Sequence, residues 1–171
     1  MMSSALTLLL ILGCLGAFDT LWYHEFQQQL PTRATGRLEL RLHAVRAFFY
    51  AVLFGSLAWI SWNGLFAWLL AAILAAEILI TLWDFVEEDL RRPLPSGERV
   101  MHTVMAIVYG AFLACLVPQL VRWSQQPTAF ARSDYGWISA ALTVMALGVL
   151  GSGIRDLAAS CRHGVSSPRA D

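Results

Sequence analysis

Five long apolar runs constrain this chain more than any other feature. They cover residues 5–26, 38–62, 65–90, 98–121 and 135–157. Each reaches the roughly 20 residues that a helix needs to cross a bilayer. None alternates with period two, and all are too long for strands. Inside lipid every backbone N–H and C=O must be satisfied within the protein, which also favours helices. Composition agrees: 57% of the residues are hydrophobic and 14% are charged, against about 25% charged in an ordinary soluble domain. The expected fold is all-α and polytopic, with five transmembrane helices in a single domain over residues 1–160. The stretch 161–171, CRHGVSSPRAD, lacks apolar periodicity and reads as a disordered tail.

Several classes fall away. A formal net charge of zero provides no basic footprint for nucleic acid. All twelve basic residues are arginine. Cys14, Cys115 and Cys161 form no C-x-x-C pair, so neither a disulfide framework nor a thiolate metal site is indicated. The N-terminal segment has an apolar stretch without a basic flank or a small-residue cleavage site, which reads as a first membrane helix.

The runs carry an internal repeat. Residues 83–102 read WDFVEEDLRRPLPSGERVMH, and residues 18–43 read FDTLWYHEFQQQLPTRATGRLELRLH. HEFQQQLP aligns with EDLRRPLP, and Glu39-x-x-x-His43 aligns with Glu98-x-x-x-His102. A tyrosine follows each histidine by seven residues, Tyr50 and Tyr109. The alignment needs a one-residue gap between Asp19 and His24. The repeats span about 5–62 and 65–122, and the two helix pairs are expected to form a four-helix bundle, with residues 135–157 as an extra helix packed outside. Gly148, Gly151 and Gly153 on that helix suggest close contact with a neighbour.

Connections and caps follow from composition. Residues 27–37 hold Pro31 and Gly36, and residues 91–97 hold Pro93, Pro95 and Gly97. Trp62-Asn63-Gly64 reads as a tight turn, and 122–134 as a polar loop. Ser96 and Asp134 are the expected caps of helices four and five, and Arg155-Asp156 the end of helix five. Arginine placement favours an inner-membrane protein with its N-terminus outside and C-terminus cytoplasmic.

With that topology, helices one to four bring their polar ends to one membrane face. The candidate metal ligands are His24, Glu39, His43, Asp84, Glu88, Glu98 and His102. Asp19, Glu25, Arg46, Tyr50, Glu77, Asp89 and Tyr109 form a supporting set. Residues four apart share a helical face, so each Glu-x-x-x-His is one stripe. His43 and His102 are expected to approach across the bundle. Glu77 lies seven residues, about 10 Å, deeper than Asp84. Arg46 should pair with Glu77 or Asp84, because an unpaired guanidinium at that depth is too costly.

Mixed carboxylate and imidazole ligation suits iron, manganese or zinc. Two divalent ions, iron first, would balance the carboxylates. The logic is similar to that of soluble di-iron carboxylate bundles, which use Glu-x-x-His rather than Glu-x-x-x-His. Three functions follow. The first is a metal-dependent membrane enzyme, oxidoreductase or hydroxylase before hydrolase, acting on an amphiphilic or lipid-like substrate. The second is a proton or metal-ion translocator. The third is a non-catalytic membrane assembly partner.

Overall fold

A computed structural model describes residues 2–27, 37–91 and 94–165. The loop with Pro31 and Gly36, Pro93 and the tail residues 166–171 lie outside them. The elements are α1 (Met2–Asp19), a π-helical segment (Thr20–Gln27), α2 (Arg37–Leu57), β1 (Ile60–Asn63), α3 (Leu65–Arg91), α4 (Ser96–Ser124), β2 (Ala129–Arg132) and α5 (Trp137–Val165). Five helices are long and apolar enough to cross a membrane, as the five runs predict. The chain is therefore compatible with a multi-pass membrane protein.

Neighbouring helices close a ring in the order α1, α4, α3, α2, α5. The most extensive packing is α5 along α2, followed by α1 along α4, whereas α1 meets α5 over a short stretch. The fifth helix thus stands between the first and second as a wall of the bundle, rather than outside a four-helix core. Its sequence explains this. At Gly153 an added Cβ would lie 2.8 Å from the Ala47 Cβ and 3.3 Å from the Ala44 carbonyl oxygen. Small residues on both helices let the backbones touch, the usual source of helix association in lipid, where apolar area drives little. Gly148 and Gly151 behave otherwise, since a Cβ at either meets nothing within 4 Å. Of the three glycines expected to make a close contact, only Gly153 makes one.

Three corrections concern helix ends. Pro95 occupies the N-cap of α4 and no side chain caps it; Ser96 is the first helical residue. Arg155 and Asp156 do not end α5, which continues through the tail's first five residues to Val165. Asp134 stands in a turn before α5: its Oδ1 accepts from the Gly136 N–H at 2.8 Å, not from an N–H of the helix that begins at Trp137.

The two ends of the bundle differ in chemistry. One end is an apolar core, with Leu6, Leu9, Leu53, Leu57, Leu70, Phe112, Leu116 and Leu142 all fully buried. A two-stranded antiparallel sheet closes it, pairing Ile60 with Arg132 and Asn63 with Ala129. The expected tight turn and polar loop therefore pair as a clasp. Phe130 stacks on Phe66 at 4.0 Å and meets Trp62 edge-on at 5.2 Å. Gly64 carries the chain from β1 into α3 at φ 63°, and its N–H donates to the Trp123 carbonyl at 2.8 Å.

A Cβ on Gly64 would collide with the Thr128 backbone. Gly64→Ala is expected to cost about 1–2 kcal/mol for the left-handed conformation alone, plus the displacement of Thr128. Hydrogen exchange in detergent would show this as early opening at residues 60–63 and 129–132, with the polar end still protected.

Candidate functional site

The other end of the bundle holds the buried charges. The last turns of α1 and α3 and the first turns of α2 and α4 meet there. On α2, Arg46 donates from Nη1 to Asp84 Oδ2 of α3 at 2.5 Å. The side chains are 13% and 1% exposed. The pairing expected from the cost of a lone guanidinium is the one found, with Asp84 as the partner.

Glu77, one face-repeat deeper on α3, is 1% exposed. Its Oε1 accepts from the Thr81 hydroxyl at 2.7 Å, and it interacts with Arg46, Tyr50 and Tyr109. Tyr50 and Tyr109 face each other edge-on at 6.5 Å. Four buried atoms here lack a hydrogen-bond partner among the described residues: Arg46 Nε, Asp84 Oδ1, Glu77 Oε2 and the Tyr109 hydroxyl.

A stack continues from this pair to α1. The Arg46 guanidinium lies 5.7 Å above the Phe85 ring. Phe85 stacks at 4.9 Å on His102 of α4. His102 Nε2 lies 3.4 Å from Asp19 Oδ2. Asp84, Arg46, Phe85, His102 and Asp19 thus link four helices. Phe85 was not singled out from the sequence, since an aromatic in an apolar run carries no signal of what it stacks on.

The remaining predicted residues divide clearly. Glu98 is fully buried at the start of α4, one turn before His102, so the Glu-x-x-x-His stripe of α4 faces inward. His43 is half-buried. Asp89 is exposed at the surface, where Arg99 donates to it at 3.2 Å. The side chains of His24, Glu25, Glu39 and Glu88 lie outside the described residues. Among the described residues, no three His, Cys, Asp or Glu side chains are grouped so as to hold a metal ion.

Beside this network is a cavity of about 560 Å³ between α1, α2, α4 and α5, within the roughly 300–1,000 Å³ of small-molecule sites. Leu12, Phe54, Val144, Met145 and Val149 line it at one end; Asp19, Thr20, His43, Arg46, Ser152 and Arg155 bring polar groups to it. Gly13, Gly16, Gly148 and Gly151 also line it; a Cβ at Gly148 or Gly151 would meet nothing within 4 Å, so on the α5 side the space exists because the helix lacks side chains there. The π-helical segment begins at Thr20, on its rim. Wider π turns inside α-helices are frequent at functional sites.

Sequence reasoning missed Ser152 and Arg155 as site residues. The signal for Arg155 is an arginine inside an apolar helix, a position that also reads as a helix end. No protein-family model matches the chain, and neither a curated protein nor a solved structure matches it.

Proposed function

We propose that this is an integral membrane protein that binds an amphiphilic, lipid-like molecule in the glycine-walled cavity. The observation that carries the reading is a cavity with apolar walls at one end and Arg46, His43 and Arg155 near the other. A ligand would enter laterally where α1 and α5 meet only briefly. Its chain would lie along Phe54, Met145 and Val149.

Filling the cavity tests this. Gly148→Leu adds a side chain where nothing stands within 4 Å. Helix propensity changes in its favour by up to about 1 kcal/mol, so the variant should be at least as stable as the parent in detergent. A photoactivatable single-chain amphiphile should label α1 and α5 in the parent protein, and labelling should be lost in Gly148→Leu. Undiminished labelling of those helices would rule the cavity out as the site.

The internal duplication belongs to the same proposal. Asp19 and Asp84 occupy matched places, and each meets a basic side chain on the second helix of the other repeat. The matched tyrosines face each other. A π turn after Asp19 accommodates the extra residue that the alignment requires there.

A second reading adds catalysis. Two divalent ions, iron before zinc or manganese, would make the protein an oxidoreductase or hydroxylase acting on the bound amphiphile. Support comes from the inward Glu98–His102 stripe; the set would need His24, Glu39 and Glu88 as well. Elemental analysis of detergent-purified protein decides. Stoichiometric metal lost from a folded His43→Ala, His102→Ala variant supports the enzyme; metal-free protein that still binds the amphiphile supports binding alone. A translocator is disfavoured, because the fully buried leucines and Phe112 offer no continuing polar path beyond the charged end.

A further inference from the structure

We infer that the cavity takes an amphiphile with an uncharged head, an alcohol or a carbonyl, whose oxygen accepts from the outer edge of the Arg46 guanidinium. The inference rests on the cavity as a ligand site and adds the chemical class of the ligand.

The register of α2 against α5 sets the polar layer. Gly153 sits against Ala44 and Ala47, and Gly55 lies level with Ala146. The helices are antiparallel, so Arg155 falls at the level of His43, about a turn from Arg46. Asp19 joins this layer from α1. Each charge in it is already matched. Arg155 donates from Nε and Nη2 to Asp156 Oδ1 at 3.0 and 2.8 Å, and from Nη2 to the Ser152 hydroxyl at 3.3 Å. Asp19 has His102 Nε2 at 3.4 Å. Arg46 has Asp84 as its partner and Glu77 beside it. Asp84, Glu77 and Asp156 are 1%, 1% and 2% exposed, and none of the three lines the cavity. His43 has an interaction of its own.

An ion of either sign is therefore opposed. An anion would meet Asp19 on the wall and find Asp84 and Glu77 behind Arg46, while the donors of Arg155 are taken. A cation would meet two guanidinium groups, which keep their charge. Like charges brought together away from water repel strongly.

One donor edge stays open to a neutral group. In a guanidinium Nη1 lies on the Cδ side, so Nε–H and Nη2 share the edge away from it. Asp84 takes Nη1, and Phe85 covers one face at 5.7 Å. Both belong to α3, and neither lines the cavity. Nε has no acceptor among the described residues, Tyr50 included. Arg46 is 13% exposed, and the cavity is where it lines open space. An alcohol or carbonyl oxygen at that edge gains a charge-assisted hydrogen bond and adds no charge to a balanced layer. The apolar end, from Leu12 to Met145, then takes the hydrocarbon chain of the same molecule.

The test uses the full chain in nanodiscs of phosphatidylcholine, with binding referred to each probe's concentration in the bilayer. The probes are hexadecanol, methyl tetradecyl ketone, hexadecane, hexadecyl sulfate and hexadecyltrimethylammonium. The alcohol or the ketone should bind at least about tenfold more tightly than the alkane and both ions, the scale of one hydrogen bond to a charged group. The tighter of the two identifies the head as hydroxyl or carbonyl. Arg46→Lys keeps a cation beside Asp84 but has neither Nε nor Nη2, so alcohol and ketone should fall to the level of hexadecane. Asp156→Ala tests the charge balance in a second variant, since Arg155 is 42% exposed and water can hold its freed charge. There hexadecyl sulfate should gain at least about tenfold with alcohol binding unchanged; no gain would overturn the pairing as the source of selectivity. Tightest binding of either ion to the parent protein, or an alcohol and ketone no tighter than hexadecane, would overturn the headgroup assignment, and would leave the cavity standing if Gly148→Leu blocks that binding. Binding of no probe, or binding indifferent to Gly148→Leu, would overturn both.

Discussion

Asp84→Leu is expected to destabilise the protein by about 3–5 kcal/mol, because it strands a buried guanidinium without its partner. Arg46 is 13% exposed and Asp84 1% exposed, so solvent cannot replace the lost charge. Arg46→Leu should cost no less, since it leaves Asp84 and the neighbouring Glu77 together without the cation between α2 and α3. The double variant Arg46→Leu, Asp84→Leu should recover part of the loss, as buried ion pairs exchanged for apolar residues commonly do, while Glu77, 1% exposed, is still left without the cation. Unfolding of the four proteins in mixed micelles forms a double-mutant cycle. A cycle without coupling would show that the pair does not hold these helices together.

Gly153→Leu is expected to cost about 1–3 kcal/mol, the range for forcing atoms into a packed contact. The first added carbon would lie 2.8 Å from the Ala47 Cβ, with the Ala44 carbonyl oxygen behind it. Neither can rotate away, so α5 must leave α2. The comparison with Gly148→Leu is informative. Both substitutions gain helix propensity, and the glycines are five residues apart on one helix, yet they should move stability in opposite directions. Thermal unfolding in one detergent suffices to compare them. If both variants were equally stable, the tight α2–α5 approach would not be a stabilising contact.

Helix number and placement were legible in the chain because they follow from local properties. Run length against bilayer thickness defines a span, and the need to satisfy backbone groups in lipid defines it as a helix. The Arg46 pairing was legible for a related reason: the cost of a bare charge in an apolar layer restricts its partner to the nearest acids. The same holds for the inward stripe of Glu98 and His102, which share a face by helical period.

What the tertiary structure alone decided is which faces meet. Gly148, Gly151 and Gly153 look alike in sequence, and only the placement of α5 between α1 and α2 makes one a contact and leaves the other two open to a cavity. Phe85 becomes a bridge between Arg46 and His102 only once α3 lies between α2 and α4. Arg155 reads as a helix end until the α2–α5 register places it beside His43 and Arg46. The strands of the clasp are four residues each, too short to signal themselves, and they form because two turns at the same end of the bundle come within hydrogen-bonding reach. Period and hydropathy describe one helix at a time; the site is a property of side chains supplied by five.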